Sequence, residues 1–355
     1  MKKLVMYLSL ILMFTFTGCT KDTNTPTNPK SNGDNTKQYT ISDYYPFKEN
    51  IQMIYEGKGN EYASQDIMTD FIKDNLIQIR IDNGGTVMGR LIENKNGELT
   101  VLYNKEEFYY KDDLSTLDIS SSTNREILLK EPLVVGTSWT LPDGSKRTIT
   151  STSVSVATPA GTYTALEVTT EGSNFKTKDY YALNIGFVKS VFTSENFEVS
   201  TTLKEIVSNA SLRQSLQLFY PQASQNDIKV VYTKADVTLK TNEEIKNVFE
   251  QYFKNPPKEN LNPLVSANAK INKLYLDSSK NMIMIDFSKE FITEMNAGSG
   301  TENAILNSII NTLGNYYNAD KVYITVDSAP YESGHIIMDK NNGFTVDFKN
   351  STELK

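Results

Sequence analysis

The sequence predicts an α+β protein. An N-terminal antiparallel β-rich domain, a sandwich or partly open barrel, precedes a small α+β domain with two helices on one face of a sheet. Three observations predict this. Between Tyr39 and Ser208, short alternating apolar runs are separated by turn signals such as Asn83-Gly84-Gly85, Asn96-Gly97 and Asp143-Gly144. After Leu216 the period changes, and Ile245, Val248, Phe249, Tyr252 and Phe253, then Ile305, Ile309, Leu313 and Tyr317, recur at helical spacing. The 355 residues include 20 Tyr and 16 Phe against one Trp, ring surface that suits strands.

Residues 1–18 read as a leader. Lys2 and Lys3 form its positive start, and Leu4 to Phe16 is an apolar core too short for a comfortable membrane span. Phe16-Thr17-Gly18-Cys19 resembles a bacterial lipobox, with Phe16 where Leu is usual. That resemblance implies a lipidated Cys19 exposed as the new N-terminus. Residues 19–38 would then be the lipidated cysteine and a tether. Thr20 to Gln38 has no aliphatic or aromatic side chain and cannot bury a core. The expected location is the extracytoplasmic face of the cell membrane, held there by lipid. The net charge is −7, and loss of Lys2 and Lys3 leaves −9. An acidic chain without a basic cluster is unsuited to nucleic acid or to electrostatic attachment to an anionic membrane. Cys19 is the sole cysteine, so no intramolecular disulfide can form.

Residues 39–208 form the predicted β-rich domain. Ile77, Ile79 and Ile81 alternate, as do Leu99, Val101 and Tyr103. Val154 and Val156 precede the turn Pro159 to Tyr163, and Leu166 and Val168 follow it. Ser208 to Ser215 is the expected hinge, and residues 216–350 the second domain. There the predicted order is β-β-α-β-β-α-β: Leu216 to Tyr220 ended by Pro221, Ile228 to Tyr232, a helix from Thr241, strands Ile271–Leu276 and Met282–Phe287, a helix Thr301–Tyr317, and strand Val322–Asp327. Thr241 with Glu244, and Ser299 with Glu302, have the spacing of capping boxes. Gly334 to Phe348 supplies a closing strand or pair.

Candidate chemistry is sparse. Ser333, His335 (the single histidine) and Asp327 are close in sequence, but no nucleophile elbow accompanies them. Glu243 with Glu244, or Asp286 with Glu290, could be drawn as a glycosidase pair, yet their spacing equally suits solvated helix charges. Lys111-Asp112-Asp113 and Pro142-Asp143-Gly144 read as turns rather than a calcium loop. Gly298, Ser299, Gly300, Thr301 and Glu302, at a helix start, are the candidate interaction residues. Tyr44-Tyr45 and Tyr316-Tyr317 are either packing or contact surfaces. No catalytic residue, metal or cofactor is predicted.

The strand ending in Asp286-Phe287-Ser288, the Gly298–Glu302 entry, Asn311-Thr312-Leu313 and the strand Val322–Asp327 together resemble the GerMN family of sporulation and spore-germination lipoproteins in Gram-positive bacteria. The resemblance spans Leu216 to Phe348. It implies a non-enzymatic interaction module engaging peptidoglycan or envelope proteins, with a ring-forming homo-oligomer as one arrangement. A second reading is an envelope protein with a small-molecule or glycan site in the β-domain, which a deep apolar-lined pocket would favour. A third is a cell-wall hydrolase.

Overall fold

The computed structural model describes residues 38–119, 125–223, 228–340, 342–349 and 351–354. The leader, Cys19 and the tether up to Lys37 lie outside the described residues. A short helix α1 (Ile41–Tyr44) leads into twelve strands: β1 (Ile51–Lys58), β2 (Gln65–Lys73), β3 (Leu76–Asp82), β4 (Val87–Lys95), β5 (Glu98–Lys105), β6 (Glu126–Lys130), β7 (Ser138–Thr140), β8 (Lys146–Thr158), β9 (Gly161–Glu171), β10 (Lys176–Ala182), β11 (Gly186–Ser194) and β12 (Phe197–Ser208). Their spatial order is β6-β5-β4-β3-β2-β1-β12-β11-β10-β9-β8-β7. Each strand therefore pairs with its sequence neighbour except at β6–β7, and β1 meets β12 with Ile51 opposite Ser208. The result is a nearly closed antiparallel barrel.

Side chains bridge the seam between β6 and β7. Trp139 Nε1 donates to the Ile127 carbonyl at 3.0 Å, and Arg147 Nη1 donates to the same oxygen at 2.7 Å. Arg147 Nη2 reaches Glu126 at 2.8 Å. The alternation read from the sequence sets the barrel faces. Ile77, Ile79 and Ile81 point inward, and Gln78 and Arg80, also buried, point outward.

Those outward residues are covered by a strap, residues 108–113, that follows β5. Asp70, fully buried, pairs with Arg80 at 2.9 Å. Arg80 Nη2 also donates to the Tyr110 carbonyl at 2.8 Å, and Gln78 Nε2 to that of Asp112 at 2.9 Å. The Phe108 ring lies so close to Gly89 that an added Cβ there would come within 2.7 Å of it. Arg80 stacks over the same ring at 4.8 Å.

The chain then forms a long hairpin, β13 (Leu212–Ala223) and β14 (Ile228–Leu239), followed by α2 (Ile245–Lys254), β15 (Ile271–Asp277), β16 (Met282–Phe287), α3 (Glu290–Thr293), α4 (Ser299–Tyr317), β17 (Lys321–Val326), β18 (Ala329–Pro330), β19 (Phe344–Thr345) and β20 (Thr352–Glu353). Parallel strands β16 and β17, with Ile285 opposite Ile324, are joined through α4.

Three details differ from the sequence reading. The hinge is shorter than expected, because β13 starts at Leu212 and runs through Pro221 to Ala223. Proline is tolerated there because β13 is an edge strand, in the order β13-β14-β20. Helices α2 and α4 both pack on the sheet that contains β15, β16 and β17, with the Phe249 and Tyr316 rings in contact at 5.2 Å, but that sheet is not alone. The strands divide into the three-stranded sheet and a five-stranded one, and α4 packs against both. Neither capping box forms. Thr241 Oγ1 donates to the Thr69 carbonyl at 2.9 Å and accepts from Asn50 N–H at 2.8 Å, fastening the barrel instead. The α2 N-cap is Glu244, without a side-chain bond.

Tyr39–Lys355 forms one compact unit. One apolar core contains Leu91, Phe108 and Tyr110 of the barrel half together with Phe249, Leu313 and Tyr317. The strap is the join. Tyr317 Oη donates to Asp112 Oδ1 at 2.7 Å, Leu276 N–H to Asp112 Oδ2 at 2.9 Å, and Lys111 N–H to Tyr316 Oη at 2.9 Å. Burial pushes the Asp112 carboxyl up to about 6, against the hydrogen bonds from Tyr317 and Leu276. A carboxyl raised in the folded state stabilises fully below its unfolded value, and that contribution is lost as pH rises through the folded one. Asp112→Asn should therefore remove a fall in stability of about 2–3 kcal/mol between pH 4 and pH 7. Urea melts of both proteins across this range check it, and parallel curves would contradict it.

Candidate functional site

Two places concentrate chemistry. The first is a cavity of about 390 Å³ inside the barrel. Ile77, Ile79, Ile81 and Ile92 line it, with Tyr55, Tyr181 and Phe187 adding ring surface. Tyr55 Oη donates to the Phe187 carbonyl at 2.9 Å, which positions the Tyr55 ring. One end is charged, with Arg90, Glu126, Arg147 and Asp179. Glu126 and Arg147 also line a surface groove with Asn104 and Phe175, so this end faces the outside. Burial pushes the Asp179 carboxyl up, while Ser190 and Arg147 pull it down.

The opposite end is covered by the segment around α1. Ile41 N–H donates to Glu131 Oε1 at 2.9 Å, and Asn184 N–H to the Asp43 carbonyl at 2.7 Å. Tyr45 and Pro46 of this segment line the cavity, and burial pushes the Tyr45 hydroxyl up to about 12. The Tyr44-Tyr45 pair thus divides its roles: Tyr44 is a buried core ring and Tyr45 a cavity wall.

The second place is the start of α4. Gly298, Ser299, Gly300 and Thr301 are exposed, and Glu302 is buried at 2% exposure. Gly298 is the N-cap and makes no side-chain bond, so Ser299 is the first helical residue and not the cap. Glu302 does not reach back to close a box because its carboxylate is engaged elsewhere. Tyr331 Oη donates to Oε1 at 2.7 Å, Ser333 Oγ bonds the same oxygen, and His335 Nδ1 lies 2.7 Å from Oε2. Burial alone would raise this carboxyl, but the bonds from Ser333, His335 and Tyr331 outweigh it and hold it below the ordinary range.

The sequence reading singled out Ser333 and His335 but set them beside Asp327. The structure supplies Glu302, from 31 residues before Ser333, as their partner. Ser333 Oγ points to that carboxylate and accepts from the backbone N–H groups of His335 and Ile336 at 3.1 and 3.0 Å. A nucleophile needs its base in hydrogen-bond reach; here the serine instead shapes a turn, with Ser333 N–H bonded to the Ile336 carbonyl at 2.9 Å. The turn carries His335, with a side chain 46% exposed, and Ile337, 73% exposed.

The remaining candidates are structural. Asp286 accepts from Asn272 Nδ2 at 2.9 Å, Thr325 Oγ1 at 2.5 Å and Ser328 N–H at 2.7 Å, which ties β16 to its neighbours. Glu243 accepts from Lys240 N–H at 2.8 Å, and Glu244 pairs with Lys246 at 2.6 Å. Asp143 shapes its turn by accepting from Ser145 N–H at 3.0 Å. Among the described residues, no three His, Cys, Asp or Glu side chains converge as metal ligands, and no helix is long and apolar enough to cross a membrane.

A barrel with an internal cavity is thus joined to an α+β half built around the buried helix α4. Residues 217–332 match the model of the Germane family, described as sporulation and spore germination. The C-terminal region is therefore GerMN-like, as the sequence resemblance implied. No curated protein matches the chain. Among solved structures, the first GerMN domain of the sporulation protein GerM from Bacillus subtilis is 16% identical, with 38% of this chain and 94% of that one covered and a TM-score of 0.27. A candidate lipoprotein from Clostridium perfringens is 21% identical over 38% of this chain and 87% of that one, with a TM-score of 0.24. A candidate exported protein with a YmcC-like fold from Bacteroides fragilis is 11% identical over 46% of this chain and 99% of that one, with a TM-score of 0.28.

The corrected cap changes what substitutions should do. Ile309 is fully buried, and Ile309→Ala should cost about 2–5 kcal/mol through lost burial and the cavity left behind. Ser299→Ala, away from any cap bond, should stay within about 0.5 kcal/mol of wild type. Chemical denaturation checks both, and a loss of about 1 kcal/mol or more at Ser299 would restore the capping role.

Proposed function

We propose that this chain is a lipid-anchored extracytoplasmic envelope protein that acts by binding rather than turnover, in sporulation or spore germination. The match of residues 217–332 to the sporulation and germination family carries this reading. The charged start, short apolar core and Phe16-Thr17-Gly18-Cys19 junction support the anchor. The engagement of Ser333 by Glu302 and the backbone supports a non-catalytic role.

The interaction surface in this reading is the exposed Gly298–Thr301 entry together with the turn that presents His335 and Ile337. Glu302 links them: its N–H donates to the Gly298 carbonyl at 2.9 Å, and its carboxylate holds Tyr331 and His335. A docking surface works best when it is already ordered, because less entropy is lost on binding. Peptidoglycan or an envelope protein is the partner, and a second copy of the chain is an alternative occupant.

Capture of the full chain on purified sacculi and on envelope extract tests this. Ile337→Asp should reduce capture while leaving stability nearly unchanged, since its side chain is already in water. Undiminished capture would move the interface elsewhere. Cys19→Ser should shift the protein out of the membrane fraction, and mass spectrometry of the wild-type N-terminus should find a diacylglyceryl group on Cys19. Equal membrane recovery of both proteins would remove the anchor.

A further inference from the structure

The barrel cavity has no part in the reading above, and its chemistry is divided along its length. Ile77, Ile79 and Ile81 line it in succession. Ile67, Ile92 and Met53 extend this apolar wall, and Thr69, opposite Ile79, is the polar side chain set within it, so the wall around β3 suits hydrocarbon and offers a run of sugar hydroxyls few partners. Three alternate residues span about 13 Å of strand, the length of roughly a ten-carbon chain. At about 390 Å³ the cavity sits at the low end of ligand pockets, which run from about 300 to 1,000 Å³. That is room for one chain and not for two.

The charged end has two bases, Arg90 and Arg147, and two acids, Glu126 and Asp179. Arg147 is already held by Glu126, by the Ile127 carbonyl and by Thr170 Oγ1 at 2.8 Å. The four charges of this belt cancel, and the fifth charged side chain lining the cavity, Lys48, is engaged on the α1 side, where its Nζ donates to the Asn184 carbonyl at 2.5 Å. A ligand head with net charge would leave one sign uncompensated in a partly desolvated place.

We propose that the barrel binds a single-chain amphiphile, with its hydrocarbon tail in the isoleucine-lined middle and an uncharged or zwitterionic head at Arg90, Glu126, Arg147 and Asp179. The ligand enters from the charged end, since the α1 segment covers the other. The site is separate from the GerMN-like region, so Ile337→Asp should leave this binding unchanged.

The test uses the full chain carrying Cys19→Ser, so that no acyl group of its own competes. It is titrated calorimetrically at pH 7 with sub-micellar 1-dodecanoylglycerol, dodecanoate, dodecyltrimethylammonium and tri-N-acetylglucosamine. The expected result is one 1-dodecanoylglycerol per chain, bound about tenfold or more tighter than either charged probe. Ile79→Asp places a charge in the tail region and should weaken it about tenfold or more. Asp179→Asn leaves the belt with a net positive charge and should turn the preference toward dodecanoate; this second variant keeps the test decisive if Ile79→Asp does not fold. Binding of the sugar trimer in place of the dodecyl probes, no dodecyl probe bound, or a charged probe bound tightest by the Cys19→Ser chain would each overturn the proposal.

Discussion

The pairing of Asp70 with Arg80 is the constraint from which the arrangement of the two halves follows. Both side chains are nearly removed from water, at 0% and 8% exposure. Desolvating such a pair is costly, and the cost is offset only when the remaining hydrogen-bonding capacity is used. Here it is used on the strap. Arg80 binds the carbonyls of Phe108 and Tyr110, and Gln78 binds that of Asp112. Once held on the barrel's outer face, the strap turns Lys111 and Asp112 toward Tyr316, Tyr317 and Leu276. Lys111 Nζ completes the join by donating to the Lys240 carbonyl at 2.6 Å, with the Phe71 ring 5.0 Å away. Directional polar bonds set inside a shared apolar core fix which surfaces meet; apolar contact alone would be far more tolerant of sliding.

Much of this was legible in the sequence, for a simple reason. Strands and helices leave periodic marks, so the isoleucines of β3 and the stripe Ile305, Ile309, Leu313 and Tyr317 announced their buried faces. What failed to show was burial through polar groups. Around the rest of α4, Ser308 bonds back to the Ala304 carbonyl, Asn311 exchanges bonds with the backbone of Asp347, and Thr312 Oγ1 accepts from Phe219 N–H. Two of these partners lie 36 and 93 residues away. A local pattern reads such residues as a solvated face, which is why one sheet was expected where α4 meets two. The strap was hidden in the same way: Lys111-Asp112-Asp113 has the composition of an exposed turn, yet Lys111 is 1% exposed.

The candidate sites divide similarly. Glu302 and His335 could each be singled out as unusual residues, but their meeting depends on how the chain returns after β18. The charged belt of the barrel could not be assembled from spacing at all. Arg147 and Asp179 come from strands separated by β9, and Glu126 from across the seam. The apolar part of the cavity was in principle readable, since inward alternation on β3 marks either a packed core or a cavity wall. Only the sum of side-chain volumes around the closed barrel decides between those two.

The surroundings of α4 also bear on how the chain is made. Its burial is finished by the tail: Val346 packs where a side chain on Gly314 would collide with it, and Leu354 N–H bonds the Tyr232 carbonyl at 2.7 Å. These residues leave the ribosome after everything they cover. A growing chain therefore exposes one side of α4 until the stretch around residues 344–354 emerges. During that interval the barrel half, whose strands pair mostly with their neighbours in sequence, can already be formed. The order of synthesis thus makes the N-terminal half the platform on which the later half closes, and leaves α4 open to aggregation until residues 344–354 follow it.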